Sequence, residues 1–344
     1  MSLQAALPWT ASPLIINAPM AGFAGGPLAS AVTLSGGLGF IGVVFDMDAL
    51  RSELQTAKAA FSSDATLSSH KTLPIGVGFL PFVAKLEQAL PILEEFKPAV
   101  VWLFAAKQLS DYTEWANRVR EVSPESKIWI QVGGVAAAVE IARAVKPDVL
   151  VLQGADAGGH GFEKGAGIIS LFPEAFDALS DEGFGHIPLV ASGGIVDGRG
   201  VAAALALGAQ GVVMGTRFLA AKETVVHPQY QAAVLGAKDG GQVTKRSKLF
   251  DELRGPNIWP ELYDGRSLVV QSYVDHLNGV GIEEIQRLHN EAVKGEDAGY
   301  AADLKGRAAI WAGAGVGLVN KVESAKEIVE SVRKQTKEIL SGLA

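Results

Sequence analysis

Eight short, uninterrupted apolar runs lie between Leu14 and Gly215, and segments with helical spacing fill the gaps between them. The runs are 14–18, 40–44, 75–79, 99–104, 128–132, 149–153, 188–192 and 211–215. They are continuously apolar rather than alternating, which is the pattern of strands buried on both faces of a parallel sheet. The intervening segments place Val83, Leu86, Leu90 and Leu93, or Val139, Ile141 and Val145, on one helical face. Eight strands alternating with helices predict an α/β chain folded as a (β/α)8 TIM barrel. A doubly wound open sheet usually has fewer strands and one early glycine-rich turn, whereas here the glycine clusters follow strands six, seven and eight.

The pattern changes after Phe218. Residues 224–309 carry helix-like stretches, turn signals at Gly240-Gly241, Gly255-Pro256 and Asp264-Gly265, and no convincing buried strand. This predicts a small, mostly helical domain inserted after strand eight, spanning 223–311, with the barrel made of 1–222 and 312–344. Apolar residues at Ala325, Ile328, Val329, Val332 and Ile339 predict a last amphipathic helix over 323–340 that completes the barrel. The length of 344 residues accommodates a barrel of roughly 250 residues plus such an appendage.

Composition removes several classes of function. The absence of cysteine excludes disulfides, thiolate-ligated metals and a cysteine nucleophile. A net charge of -7 argues against a nucleic-acid partner, which needs a basic surface. Forty glycines and fifteen prolines without a short repeat exclude a collagen-like chain. The longest uncharged stretch, between Arg199 and Arg217, is broken by Gln210 and several glycines, so it reads as a helix and a strand rather than a membrane span. Residues 1–10 lack a basic and then apolar leader, and the final tripeptide is not a peroxisomal signal, so a soluble cytoplasmic protein is expected. No metal site is expected: no histidine pair has helical i, i+4 spacing, and Asp46-Met47-Asp48 lacks further ligands.

Three glycine-rich strand exits carry the candidate chemistry. They are Gln153-Gly154-Ala155-Asp156-Ala157-Gly158-Gly159-His160-Gly161, then Ala191-Ser192-Gly193-Gly194-Ile195, then Val213-Met214-Gly215-Thr216-Arg217. Glycine lets a ligand approach the backbone, so the N–H groups of Gly193, Gly194, Gly215 and Thr216 suit a phosphate, helped by a nearby helix N-terminus. His160 sits just past strand six in a loop too rich in glycine for core packing, with no apolar face to pack on. A histidine there can act as a general acid or base, or donate to an anionic substrate. His70, His186, His227, His276 and His289 read as surface or capping residues, and Lys245, Arg246 and Lys248 as a solvated basic face.

With these motifs in place, the sequence resembles the nitronate monooxygenase family, once called 2-nitropropane dioxygenases. The resemblance rests on Asn17-Ala18-Pro19-Met20-Ala21-Gly22, on Gly36-Gly37-Leu38-Gly39-Phe40-Ile41-Gly42, and on the three exits in the family's order. Trp311-Ala312-Gly313-Ala314-Gly315-Val316-Gly317-Leu318 adds a fourth matching segment. The resemblance implies a non-covalent FMN, with Pro19 and Met20 along the isoalloxazine and Gln131 and Gln153 near its polar edge. It places Gly158, Gly193, Gly194, Gly215 and Thr216 along the tail and phosphate, puts Ala18, Gly78 and Ser192 in the same cofactor set, and makes His160 the active-site histidine. The implied reaction takes an alkyl nitronate, propionate 3-nitronate being one example, and O2 to a carbonyl compound and nitrite, through one-electron transfer to the flavin. The histidine would also deprotonate a neutral nitroalkane. Two positions depart from the family pattern: Gly78 replaces an asparagine near the end of strand three, and Ala314 a glutamine in the terminal segment. An NAD(P)H:quinone or enoyl reductase on the same FMN barrel, and a non-catalytic flavin-binding barrel, are the alternative readings.

Overall fold

Each of the eight apolar runs contains a strand, and the strands pair in parallel in a computed structural model that describes residues 3–42 and 46–343. The strands in chain order are β1 (Ile15–Asn17), β2 (Phe40–Gly42), β3 (Leu73–Phe79), β4 (Pro98–Leu103), β5 (Lys127–Val132) and β6 (Val149–Gln153). They continue as β7 (Gly159–Phe162), β8 (Leu189–Ser192), β9 (Val212–Met214), β10 (Thr244–Ser247) and β11 (Tyr263–Leu268). The large sheet runs β1-β9-β8-β6-β5-β4-β3-β2. The expected run 40–44 is seen as Phe40–Gly42; positions 43 and 44 lie outside the described residues.

The seam between β1 and β2 is closed mainly by one side chain. Asn17 is fully buried; its Nδ2 donates to the Phe40 carbonyl at 2.9 Å, and its Oδ1 accepts from the Phe40 N–H at 2.9 Å. The amide thus imitates the donor and acceptor of a neighbouring strand, satisfying backbone groups that burial would otherwise leave unpaired. A single backbone bridge, Ile16 to Leu38, supports it. Inside the barrel Phe40, Trp102 and Trp129 pack ring against ring at 5.1 to 6.0 Å. Gly76 makes room for them, since a Cβ there would lie 2.1 Å from the Phe40 ring.

Helices cover the sheet, and the last of them, Ala325–Leu343, packs against both Gly198–Ala206 and Gly26–Leu34. It brings the half-buried Arg333 to the carbonyls of Ser35 and Gly36 at 3.0 and 2.9 Å, at the foot of the same seam. No helix among the described residues is long and apolar enough to cross a membrane.

Residues 223–311 contain the helices Pro228–Gly236, Gln271–Leu277 and Ile282–Ala292, around an apolar cluster that includes Tyr230, Phe250, Leu268 and Ile285. The expectation of no strand in this stretch is corrected: β10 and β11 lie here, and β11 pairs antiparallel with both β10 and β7. Thr-Lys-Arg-Ser of β10 carries no apolar run because only Thr244 is buried, whereas β11 is buried along most of its length but fills it with Asp264, Gly265 and Ser267, which pair through the backbone and an ion pair. Arg246 of β10 is tied to Asp264 of β11 through a short ion pair, and Lys248 reaches Glu163 at 3.1 Å. Arg246 is therefore a half-buried structural cation, not part of a solvated face.

Candidate active site

The strand exits surround a cavity of about 340 Å³ at the C-terminal end of the barrel, where enzymes of this architecture carry their chemistry. Ala18, Pro19 and Met20 follow β1, Gly78 comes from β3, Gln131 from β5 and Gln153 from β6; all six line it. Gly158 and His160, Ser192 at the end of β8, and Gly215 and Thr216 after β9 line it too. Gly193 and Gly194 do not line the cavity; they continue from Ser192, both at positive φ, against Gly154, Asp156 and Ala157. No lysine, arginine or carboxylate is among the described residues that line it, and much of the wall is apolar or aromatic.

Gly78 has a steric reason. A Cβ at this position would stand 2.4 Å from the Pro19 Cβ, so the proline ring fills the space where a longer side chain would lie. Gln131 is buried, and its amide makes no hydrogen bond to another described residue. Gln153 differs: its Nε2 donates to the His160 carbonyl at 3.1 Å and so steadies β7.

Beside the cavity, the backbone N–H groups of Gly193, Gly194, Gly215 and Thr216 have no acceptor among the described residues. Thr216 Oγ1 accepts from the Gly313 N–H at 3.0 Å, which leaves its own O–H free to donate. The helix expected to add its N-terminus does not do so. In Gly198–Ala206, Asp197 caps the N–H groups of Arg199 and Gly200, and Gln335 accepts from Gly198 at 2.7 Å. The free donors thus belong to the loops. Arg217 points away into a short ion pair with Glu323; burial pulls its guanidinium below the ordinary value, and the carboxylate opposes the shift.

His160 lies on β7 rather than in an irregular loop, opposite Gly265 of β11. The expectation that it has no apolar face is corrected as well. Its ring stacks on Trp259 with centroids 3.6 Å apart and planes 8° apart, and Trp311 closes on it at 4.7 Å. Gly265 permits this, because a Cβ there would fall 2.4 Å from the Trp311 ring. His160 Nε2 lies 2.6 Å from Oδ1 of Asp251, whose side chain is 5% exposed against 15% for the histidine. Tyr230 fixes the backbone above by donating its O–H to the Trp311 carbonyl at 3.0 Å; burial raises its phenol well above the ordinary value.

Asp251 and Trp259 were not among the residues singled out from sequence. They stand 91 and 99 positions beyond His160 in stretches without helical or strand periodicity, and only the pairing of β11 with β7 brings them to it. Of the other histidines, His227 caps the helix Pro228–Gly236, and His186 lines a second cavity at the opposite end of the barrel.

The nitronate monooxygenase family model matches residues 112–335. The chain is 45% identical to the nitronate monooxygenase npaC of Metarhizium robertsii over 99% of its own length and 96% of the relative's. It is 38% identical to the nitronate monooxygenase of Neurospora crassa, covering 98% of this chain and 94% of that one. Among solved structures, FabK from Thermotoga maritima superposes with a TM-score of 0.75 at 25% identity over 99% and 97% of the two chains. Nitroalkane oxidase from Streptomyces ansochromogenes shares the fold, with a TM-score of 0.72 at 23% identity over 96% and 98%. The terminal segment, the three strand exits and the histidine face one cavity in a barrel that these relatives match nearly end to end, and the chain is an oxidoreductase of the nitronate monooxygenase family.

Proposed function

We propose that the chain binds FMN and oxidises alkyl nitronates with O2 to a carbonyl compound and nitrite. The observation that carries this reading is the conjunction at one cavity: four unpartnered loop amides beside it, and a histidine on an aromatic wall within it. The amides of Gly193, Gly194, Gly215 and Thr216 would hold the phosphate, and the buried Gln131 amide the polar edge of the ring system. Bound FMN supplies the one-electron chemistry and the reaction with O2. Pro19, Met20, Gly78, Gln153 and Gly158, with Ala18 and Ser192, complete the cofactor wall. Phe82, Ile258, Trp259 and Trp311 offer an alkyl chain an apolar surface that excludes water. His160 would take the α proton of a neutral nitroalkane, a step that a preformed nitronate does not need. In the same reading residues 223–311 form an insert over the mouth of a barrel built from 1–222 and 312–344.

The test is the visible spectrum of the purified protein, followed by nitrite release from propyl-2-nitronate and from propionate 3-nitronate in air. Flavin absorption with nitrite release is the expected result. A flavin-loaded protein inert towards every alkyl nitronate overturns the reading, and rapid anaerobic bleaching of that protein by NADH or NADPH would replace it with a reductase.

A further inference from the structure

We propose that Asp251 is a positioning residue that holds His160 in a single tautomer, so that Nδ1 is the nitrogen that takes the substrate proton. The inference rests on the reading of His160 as the base for neutral nitroalkanes, and it assigns a duty to a residue far in sequence from any barrel strand exit.

The geometry fixes the proton. Asp251 Oδ1 stands 2.6 Å from His160 Nε2, and an ionised carboxylate can only accept, so the ring proton lies on Nε2. In the neutral ring Nδ1 then carries the lone pair, and Nδ1 has no hydrogen-bond partner among the described residues. The ring cannot readily exchange its nitrogens. Trp259 covers one face in a parallel stack, Trp311 leans on the ring at 49°, and β7 is pinned to β11 by backbone pairing and to Gln153 by a hydrogen bond.

The second observation concerns charge. Oδ2 of Asp251 is buried without a partner, so a charge on this carboxylate would be met at one oxygen only. Such a charge is costly unless a counter-charge appears beside it. One appears in the proposed step. The α C–H bond of the nitroalkane breaks, its proton moves to Nδ1, and its electron pair becomes the C=N bond of the nitronate. The resulting imidazolium faces the carboxylate at hydrogen-bond distance, as in other acid–base pairs in which a buried aspartate steadies a histidine. The step is a proton transfer only and needs no oxidant.

The experiment uses the flavin-loaded protein with nitroethane and with ethyl nitronate, comparing wild type, Asp251→Asn and Asp251→Glu. Asp251→Asn is expected to lower kcat/KM for nitroethane by about 100-fold or more, and to lower that for ethyl nitronate far less. Asp251→Glu should recover part of the nitroethane loss. The independent readout is 15N NMR of histidine-labelled protein, with His160 assigned by its absence in His160→Asn. Wild type is expected to show the neutral ring protonated on Nε2, and Asp251→Asn a mixture of tautomers. Equal losses on both substrates, no loss on either, or a wild-type ring protonated on Nδ1 would each overturn the proposal. If Asp251→Asn does not fold, the wild-type spectrum alone decides it. Wild-type protein that releases no nitrite from any nitronate sinks the reaction, whereas the tautomer still tests the placement of Asp251.

Discussion

The wall of the cavity contributed by the barrel exits works through its backbone, whereas the wall contributed by residues 249–311 works through side chains. On the barrel side the unpartnered loop amides of Gly193, Gly194, Gly215 and Thr216 stand at or beside the cavity, and the side-chain amides of Gln131 and Gln153 line it. On the other side Trp259 and Trp311 line the cavity around His160, and Asp251 bonds the histidine from outside the lining, brought there by the pairing of β11 with β7. A backbone wall depends on where the chain can turn and is indifferent to most side chains, provided nothing grows into the turn. A side-chain wall depends on residue identity at a few positions and tolerates much change between them. On the proposed reading, the difference teaches that holding a phosphate-tailed group and moving a proton can be altered separately in this molecule.

Three perturbations probe that separation, beginning with the largest. His160→Asn removes the proposed base and leaves the amides untouched. Turnover of neutral nitroalkanes should fall about 100- to 10,000-fold, with a much smaller fall for nitronates and undiminished flavin content. Loss of flavin from this variant would mean that the two walls are not separable. Gly194→Val perturbs the other wall. Its φ of +74° is strained for a β-branched residue by about 1–2 kcal/mol, and its Cβ would lie 2.9 Å from the Asp156 Cβ. Flavin should be lost on gel filtration, and full retention would remove this turn from the cradle. The smallest effect concerns His289, in the helix Ile282–Ala292, where burial lowers the imidazole below its ordinary 6.5, helped by Arg254 and opposed by Asn290. The unfolded chain therefore binds this proton first as pH falls, so stability is full above about 6.5 and declines below it, until the folded histidine protonates too. His289→Gln should flatten that acid decline, raising the Tm at pH 5 relative to wild type by about 1–2 °C. An unchanged acid slope would locate the pH sensitivity in groups other than His289.

Most of the barrel was legible because its strands are buried on both faces, and Val149–Gln153 or Pro98–Leu103 can then be built only from continuous apolar runs. β7, β10 and β11 were not legible, since Gly-His-Gly-Phe and Thr-Lys-Arg-Ser have neither a run nor an alternation to read. The glycine-rich exits were legible as loops at one end of the barrel, but nothing in the sequence showed that Asp197 and Gln335 already occupy the helix N-terminus. His160 stood out, but its partners did not, because contacts across 91 and 99 residues leave no local signature. Two tryptophans and an aspartate in a stretch without periodicity were the available signal, and a signal of that kind says that side chains are wanted somewhere without saying where.

The seam at β1 has a consequence for how the molecule is made. A ribosome releases Asn17 early, its partner Phe40 soon after, but β9 almost two hundred residues later and Arg333 more than a hundred beyond that. Until those arrive, β1 has an open edge and the ring of strands cannot shut, so its closure belongs to the end of synthesis rather than to its course. A nascent chain halted within residues 223–311 would already carry every strand of the barrel, yet lack the helix that clamps the seam. Such a chain would hold its seam by Asn17 and one backbone bridge alone, without Arg333 to brace the carbonyls of Ser35 and Gly36.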